Sequence, residues 1–179
     1  VKKSNIHALS ASAHKWLLGP EGVGVLFIDR DLIPNVQPVE FGWTNVEGWP
    51  TYSREEKLIS GAKRYECGTL NTCGINGLKE SIDLILEIGV DPISKRVNFL
   101  ADLIFNKARN KGYEPMTSRS ELCGSGIVSL RKPTMDAVTT AEKMQQKGVC
   151  VAPRSGWIRA SPHFYQSEED VHRFIDLLP

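Results

Sequence analysis

The spacing of apolar residues along this chain changes period several times, and each change marks an element. Gly24-Val-Leu-Phe-Ile28 is a continuous apolar run that stops at Asp29-Arg-Asp, which predicts a buried strand. Residues 6–12 ahead of it are small and apolar. From Thr72 the period becomes helical: Leu78, Ile82 and Ile85 share one face up to Gly89. A second helix follows Pro92, with Ile93, Val97, Leu100, Ile104 and Ala108 on one face and Gly112 as its stop. Glycine suits that place because the chain leaving a helix turns left-handed, which costs glycine least.

Beyond Gly112 the segments shorten. Residues 126–130 alternate like a strand, and Met135, Val138, Ala141 and Met144 mark an amphipathic helix closed by Gly148. Residues 149–151 and 157–160 read as short strands. Ser167-Glu-Glu-Asp opens a last helix, with its acids near the positive end of the helix dipole and Val171, Phe174, Ile175 and Leu178 as its buried face. The order strand, helix, strand, strand, helix over 126–178 suits a small α+β domain with helices on one face of a sheet. Residues 34–63 lack periodicity and contain Pro34, Pro38 and Pro50, so a long loop region is expected. Its Trp43, Trp49 and Tyr52 serve either packing or a substrate pocket.

Composition narrows the class. With 179 residues the chain holds one domain or two small ones, and 41% apolar with 24% charged residues is a soluble globular balance. A net charge of +1 gives no support for nucleic acid or an anionic membrane as the main partner. No apolar run reaches the length of a membrane span. Cys67, Cys73, Cys123 and Cys150 form no Cys-x-x-Cys pair, so no metal site is expected and reduced thiols of a cytoplasmic protein are. Cys150 is expected to be an inert packing residue within the 149–151 strand. The chain begins without Met and shows no signal peptide at its start, and it reads as the middle of a longer sequence.

The chemistry centres on Lys15, within Ser-Ala-Ser-Ala-His-Lys-Trp-Leu-Leu-Gly-Pro-Glu-Gly-Val-Gly over residues 10–24. A lysine directly after a histidine, followed by glycines, a proline and an apolar strand, reads as a lysine held at the end of a strand to form a Schiff base. A protonated amine is a poor nucleophile, so such a lysine needs surroundings that disfavour its charge. Pyridoxal 5'-phosphate (PLP) is the common partner of a lysine used in this way.

Three blocks in order carry a family resemblance: Ser12-Ala-His14-Lys15-Trp16 with Gly19-Pro20 and Gly22-Val-Gly24; Arg64-Tyr-Glu-Cys-Gly-Thr69; and Ile158-Arg-Ala-Ser-Pro-His-Phe-Tyr165 with Glu168-Glu-Asp170. Together they resemble the class V aminotransferase superfamily of fold type I PLP enzymes, which includes cysteine desulfurases and isopenicillin N epimerase-like proteins. The resemblance implies an α/β fold. Residues 1–90 would be the latter part of the PLP-binding large domain, 91–112 a connecting helix, and 113–179 a small C-terminal α+β domain. It also implies roles by position. Lys15 would carry the cofactor and move the substrate Cα proton. Ser12 and His14 would donate to the cofactor phosphate. Thr69 would reach the phosphate of a neighbouring subunit, which implies a homodimer. Arg159 would clamp the α-carboxylate of an amino-acid substrate.

Two departures accompany the resemblance. Cysteine desulfurases carry a nucleophilic cysteine on a loop ahead of the carboxylate arginine, and here Gly156 runs directly into Trp157-Ile-Arg159. The aspartate and stacking ring that such enzymes need both lie upstream of the lysine. The resemblance therefore implies a C-terminal half whose N-terminal half is elsewhere. The readings left open are a PLP enzyme of the aminotransferase, epimerase or lyase type; a cysteine desulfurase or C–S lyase; and an inert dimerisation or binding fragment.

Overall fold

Glycine and asparagine set the helix boundaries of the first half. A computed structural model describes residues 1–48, 57–120 and 123–179, and the chain forms two units, Val1–Glu87 and Ile88–Pro179. Trp49 and Tyr52 of the long loop lie outside the described residues.

In the first unit, β1 (Ala8–Ser12) and β2 (Gly24–Ile28) pair antiparallel, from Ala8 opposite Ile28 to Ser12 opposite Gly24. Helix α1 (Thr72–Ile88) begins where the Asn71 side-chain oxygen accepts the Gly74 amide at 2.9 Å. The expected buried character of the 24–28 run does not hold in this structure. Val25 is 39% and Leu26 51% exposed, because a two-stranded sheet leaves an open edge and face on each strand.

The second unit starts with α2 (Val90–Asn110), entered through Gly89 at φ 93°. Its buried stripe contains every residue that the periodicity assigned, with Ala101 in addition. A four-stranded antiparallel sheet follows in the spatial order β3 (Glu114–Pro115), β4 (Val128–Arg131), β6 (Trp157–Ala160), β5 (Ala152–Arg154). Helices α3 (Ala137–Gln146) and α4 (Glu168–Leu177) join α2 around one core with Leu100, Leu130, Met144, Ile158 and Phe174. Burying one such side chain stabilises the fold by about 1.5–3 kcal/mol. A capping box starts α4: the Ser167 hydroxyl accepts the Asp170 amide while the Asp170 carboxylate accepts the Ser167 amide. At its far end Lys111 donates to the carbonyls of Ile175 and Leu178, both at 2.8 Å.

Three local expectations are corrected. The strand assigned to residues 149–151 lies at Ala152–Arg154, because the turn fixes the register of this hairpin. Arg154 pairs with Trp157, which leaves Ser155 and Gly156 as a two-residue turn at φ 49° and 82°. Two positive φ values are the mark of a type I′ turn. Cys150 is accordingly outside the strand and exposed, not packed. In α3 the buried residues are Ala137, Thr140, Ala141 and Met144, and Val138 is 55% exposed. Asp136 caps this helix by accepting the Thr139 amide at 2.7 Å, and that start turns Val138 outward.

Candidate cofactor and substrate site

The Lys15 turn is built from the backbone upward. The fully buried Ala13 donates to the Val23 carbonyl at 3.1 Å, and its own carbonyl accepts the Gly19 amide at 2.9 Å. The Leu18 amide closes a turn onto the Lys15 carbonyl at 3.1 Å. Ser12 at the end of β1, with His14 and Lys15 just after it, thus projects from one short piece of backbone, and all three are exposed. None of their side chains is spent on a hydrogen bond or ion pair among the described residues.

Helix α1 closes against this turn through small residues. A Cβ on Gly77 would meet Pro20 Cγ at 2.6 Å, and one on Gly19 would meet Leu78 Cδ1 at 3.0 Å. Asn71 Nδ2 donates to the Gly22 carbonyl at 3.3 Å, and the Ser81 hydroxyl to the Leu18 carbonyl at 3.0 Å. Sequence reasoning assigned nothing to Asn71, Gly77 or Ser81. The available signal was the small-residue spacing of Gly74, Gly77 and Ser81 along one helix, which permits close backbone approach.

Thr69 stands exposed before α1, at the end of a tightly stitched segment. Asn45, fully buried, accepts the Gly42 amide and donates to the carbonyls of Glu40 and Arg64, each at 3.0 Å. Thr44 Oγ1 reaches the Glu66 carbonyl at 2.6 Å and the Gly68 carbonyl at 3.3 Å. A Cβ on Gly42 would sit 1.7 Å from the Cys67 oxygen, so only glycine fits that crossing. Asn71 then links the Thr69 end of this segment to the Lys15 hairpin.

Arg159 belongs to the second unit. On β6 it lies between Ser129 of β4 and Ala152 of β5, two small partners, on the sheet face opposite the buried Ile158 and Ala160. Its Nε is buried with no hydrogen-bond partner among the described residues. Arg131, one rung along on β4, is occupied: it bonds Glu114 at 2.8 Å and stacks on Trp157 with its guanidinium 4.6 Å from the ring centroid. Just beyond β6, Gln166 Oε1 accepts the His163 amide at 2.7 Å and so closes the turn that carries the aromatic rings of His163 and Tyr165.

A family profile described as aminotransferase class-V matches residues 1–174. The chain belongs to the class V aminotransferase family. Its relatives in this family include an uncharacterized aminotransferase, YcbU, of Bacillus subtilis, 27% identical over 176 residues that cover 98% of this chain and 46% of that protein. A probable cysteine desulfurase of Pyrococcus abyssi is 29% identical over 196 residues, covering 99% and 47%. The isopenicillin N epimerase of Streptomyces clavuligerus is 29% identical over 181 residues, covering 94% and 46%. Among solved structures, the apo cysteine desulfurase of Thermococcus onnurineus NA1 superposes with a TM-score of 0.90 at 26% identity, over 99% of this chain and 47% of that one. The chain spans about half the length of the curated relatives it matches. Its mixed α/β architecture is that of the fold type I neighbours over this half.

Proposed function

We propose that this chain is the lysine-bearing half of a PLP-dependent enzyme that acts on an amino acid, of the aminotransferase or epimerase type. The observation that carries the reading is the Ser12–His14–Lys15 group on one exposed turn, with donors not spent within the described residues. A phosphorylated aldehyde fits such a set: the phosphate dianion needs several donors, and the aldehyde needs an amine. When bound, PLP supplies that aldehyde and a ring that takes up the electron pair left on the substrate Cα.

The residues of this chain do the rest. The Ser12 hydroxyl and a His14 ring N–H donate to phosphate oxygens and fix the cofactor's register. Thr69 adds a donor to the cofactor of a second subunit in a homodimer. Arg159 receives the substrate α-carboxylate on two parallel N–H groups, one of them the unpaired Nε. Lys15 Nζ would hold the cofactor through its aldehyde and would serve as the base that takes and returns the substrate Cα proton. The face to which it returned that proton would separate retention from epimerisation.

One finding favours these branches over persulfide chemistry: the two-residue turn at Ser155–Gly156 leaves no arm ahead of Arg159 to carry a thiolate. The relatives extend over about twice the matched length, and the activity proposed here would draw on that further part of the fold as well. The apolar side chains left open on β2 support a role for such a part in covering the hairpin. All four cysteines are free thiols, in keeping with a reducing cytoplasm.

The test is to incubate the chain with PLP, reduce with borohydride and map the pyridoxylated lysine. Selective label on Lys15, lost in Lys15→Ala, is the expected result. Label spread evenly over the surface lysines would refute the reading.

A further inference from the structure

The backbone that carries Lys15 contains one residue in a conformation it does not favour. Leu18 has φ 56°, in the left-handed region where a Cβ crowds the following carbonyl. The dihedral turns the Leu18–Gly19 peptide, so that the Gly19 amide meets the Ala13 carbonyl at 2.9 Å while the Leu18 amide bonds the Lys15 carbonyl at 3.1 Å. The Leu18 carbonyl is met instead from 63 positions along the sequence, by the Ser81 hydroxyl at 3.0 Å. Ser81 sits mid-helix in α1 and is half-buried. The same hydroxyl lies 3.0 Å from the Gly77 carbonyl one turn back, so its single proton is shared between an intrahelical acceptor and the turn.

We propose that Ser81 is a positioning residue for Lys15: its hydroxyl holds the Leu18 carbonyl, keeps Leu18 left-handed, and so fixes the backbone from which the lysine projects. The proposal rests on the cofactor-lysine reading of Lys15. The close approach of Gly77 to Pro20 and of Leu78 to Gly19 places α1 where a side chain as short as serine spans the gap. Alanine at this position would leave the carbonyl without its partner and let the turn relax toward dihedrals that leucine prefers.

The substitution also separates positioning from support. Alanine is a better helix former than serine, so Ser81→Ala strengthens α1 as a helix. A merely structural serine would alter the melting temperature and leave Lys15 no more affected than any other lysine. The experiment follows the rate at which PLP and borohydride label each lysine of the chain, by peptide mapping, in the unmodified protein, Ser81→Ala and Ser81→Ala with Leu18→Gly. Label at Lys15 is expected to form roughly three- to tenfold more slowly in Ser81→Ala, the span of one net hydrogen bond. Lys79, exposed on the same helix, should keep its rate. Glycine adopts a positive φ without strain, so Leu18→Gly should restore much of the lost rate. Selective labelling of Lys15 at the same rate in Ser81→Ala and in the unmodified chain would overturn the positioning role and leave the cofactor-lysine reading standing. Equal slowing at Lys15 and Lys79 with a lowered melting temperature would overturn it too. Absence of Lys15 selectivity in the unmodified chain would refute the cofactor-lysine reading itself, and the positioning role with it.

Discussion

Replacing Asn45 by alanine should be among the most damaging single changes to the first unit. The side chain is fully buried and makes three hydrogen bonds of 3.0 Å: it accepts from Gly42 N and donates to the carbonyls of Glu40 and Arg64. Truncation leaves one donor and two acceptors without a partner. Each buried group so orphaned costs about 1–3 kcal/mol, and partial access of water to the space left brings the sum to about 3–5 kcal/mol. That is a large share of the roughly 5–15 kcal/mol that stabilises a typical domain. Urea unfolding followed by tryptophan fluorescence measures it as a fall in midpoint at constant m-value. Asn45→Asp gives a sharper version. It keeps the acceptor for Gly42 but turns an oxygen toward two carbonyls. That carboxyl should titrate above its usual range when folded, so protonation favours the fold. Stability of the variant is then greatest below the ordinary aspartate pKa and lost as pH rises through the raised one. A loss under about 1 kcal/mol in Asn45→Ala would refute the view that this amide holds the 64–68 segment ahead of Thr69.

Other expectations follow from single side chains. Arg159→Lys keeps the charge and loses the fork, so kcat/KM of the whole enzyme should fall roughly ten- to a hundredfold, chiefly through KM, while PLP affinity holds; weakened PLP binding with unchanged KM would contradict the carboxylate role. Cys150→Ser should leave turnover unchanged, because the thiol precedes β5 with no mobile arm behind it, and loss of a sulfur-releasing activity in a folded variant would revive the desulfurase branch. Asp136 and Asp170 are held below the usual carboxylate range of 3.8, chiefly by the backbone amides of Thr139 and Ser167. Their caps therefore contribute fully above that range and are lost as pH falls through the depressed values, so helicity monitored by circular dichroism should drop on acidification below about pH 4 and drop less in Asp136→Asn with Asp170→Asn.

The second unit was the more legible of the two in the sequence. Its helices bury one stripe each against a sheet within the same unit, so the period in α2 and α4 is the period of burial. The misreadings came where a turn or cap outranked periodicity. Two turn residues moved β5 by three positions, and the Asp136 cap selected Ala137 and Thr140 over Val138 for the core. For the first unit, apolar sequence on β2 did not translate into burial. Burial is a property of the whole fold, and this chain matches only half of its relatives' length. The candidate residues themselves were legible as blocks, whereas their supports were not. Asn45, Asn71 and Ser81 act across 19, 49 and 63 positions, and no local pattern announces bonds of that range.

The Ser155–Gly156 turn bears on how chemistry diverges within one fold. A type I′ turn spends an unfavourable left-handed serine to join two paired strands by the shortest route. Lengthening a loop is cheap by comparison: each doubling costs about 0.6 kcal/mol, so growth from two residues to about sixteen costs roughly 2 kcal/mol, part of it returned when the serine is released from its strain. The strands on either side keep their register, and Arg159 keeps its place between Ser129 and Ala152. Gain or loss of an arm at this point is thus nearly neutral for folding, while on the reading proposed above it would decide whether a thiolate of the protein can be carried to a substrate. Selection can then act on the reaction almost independently of stability.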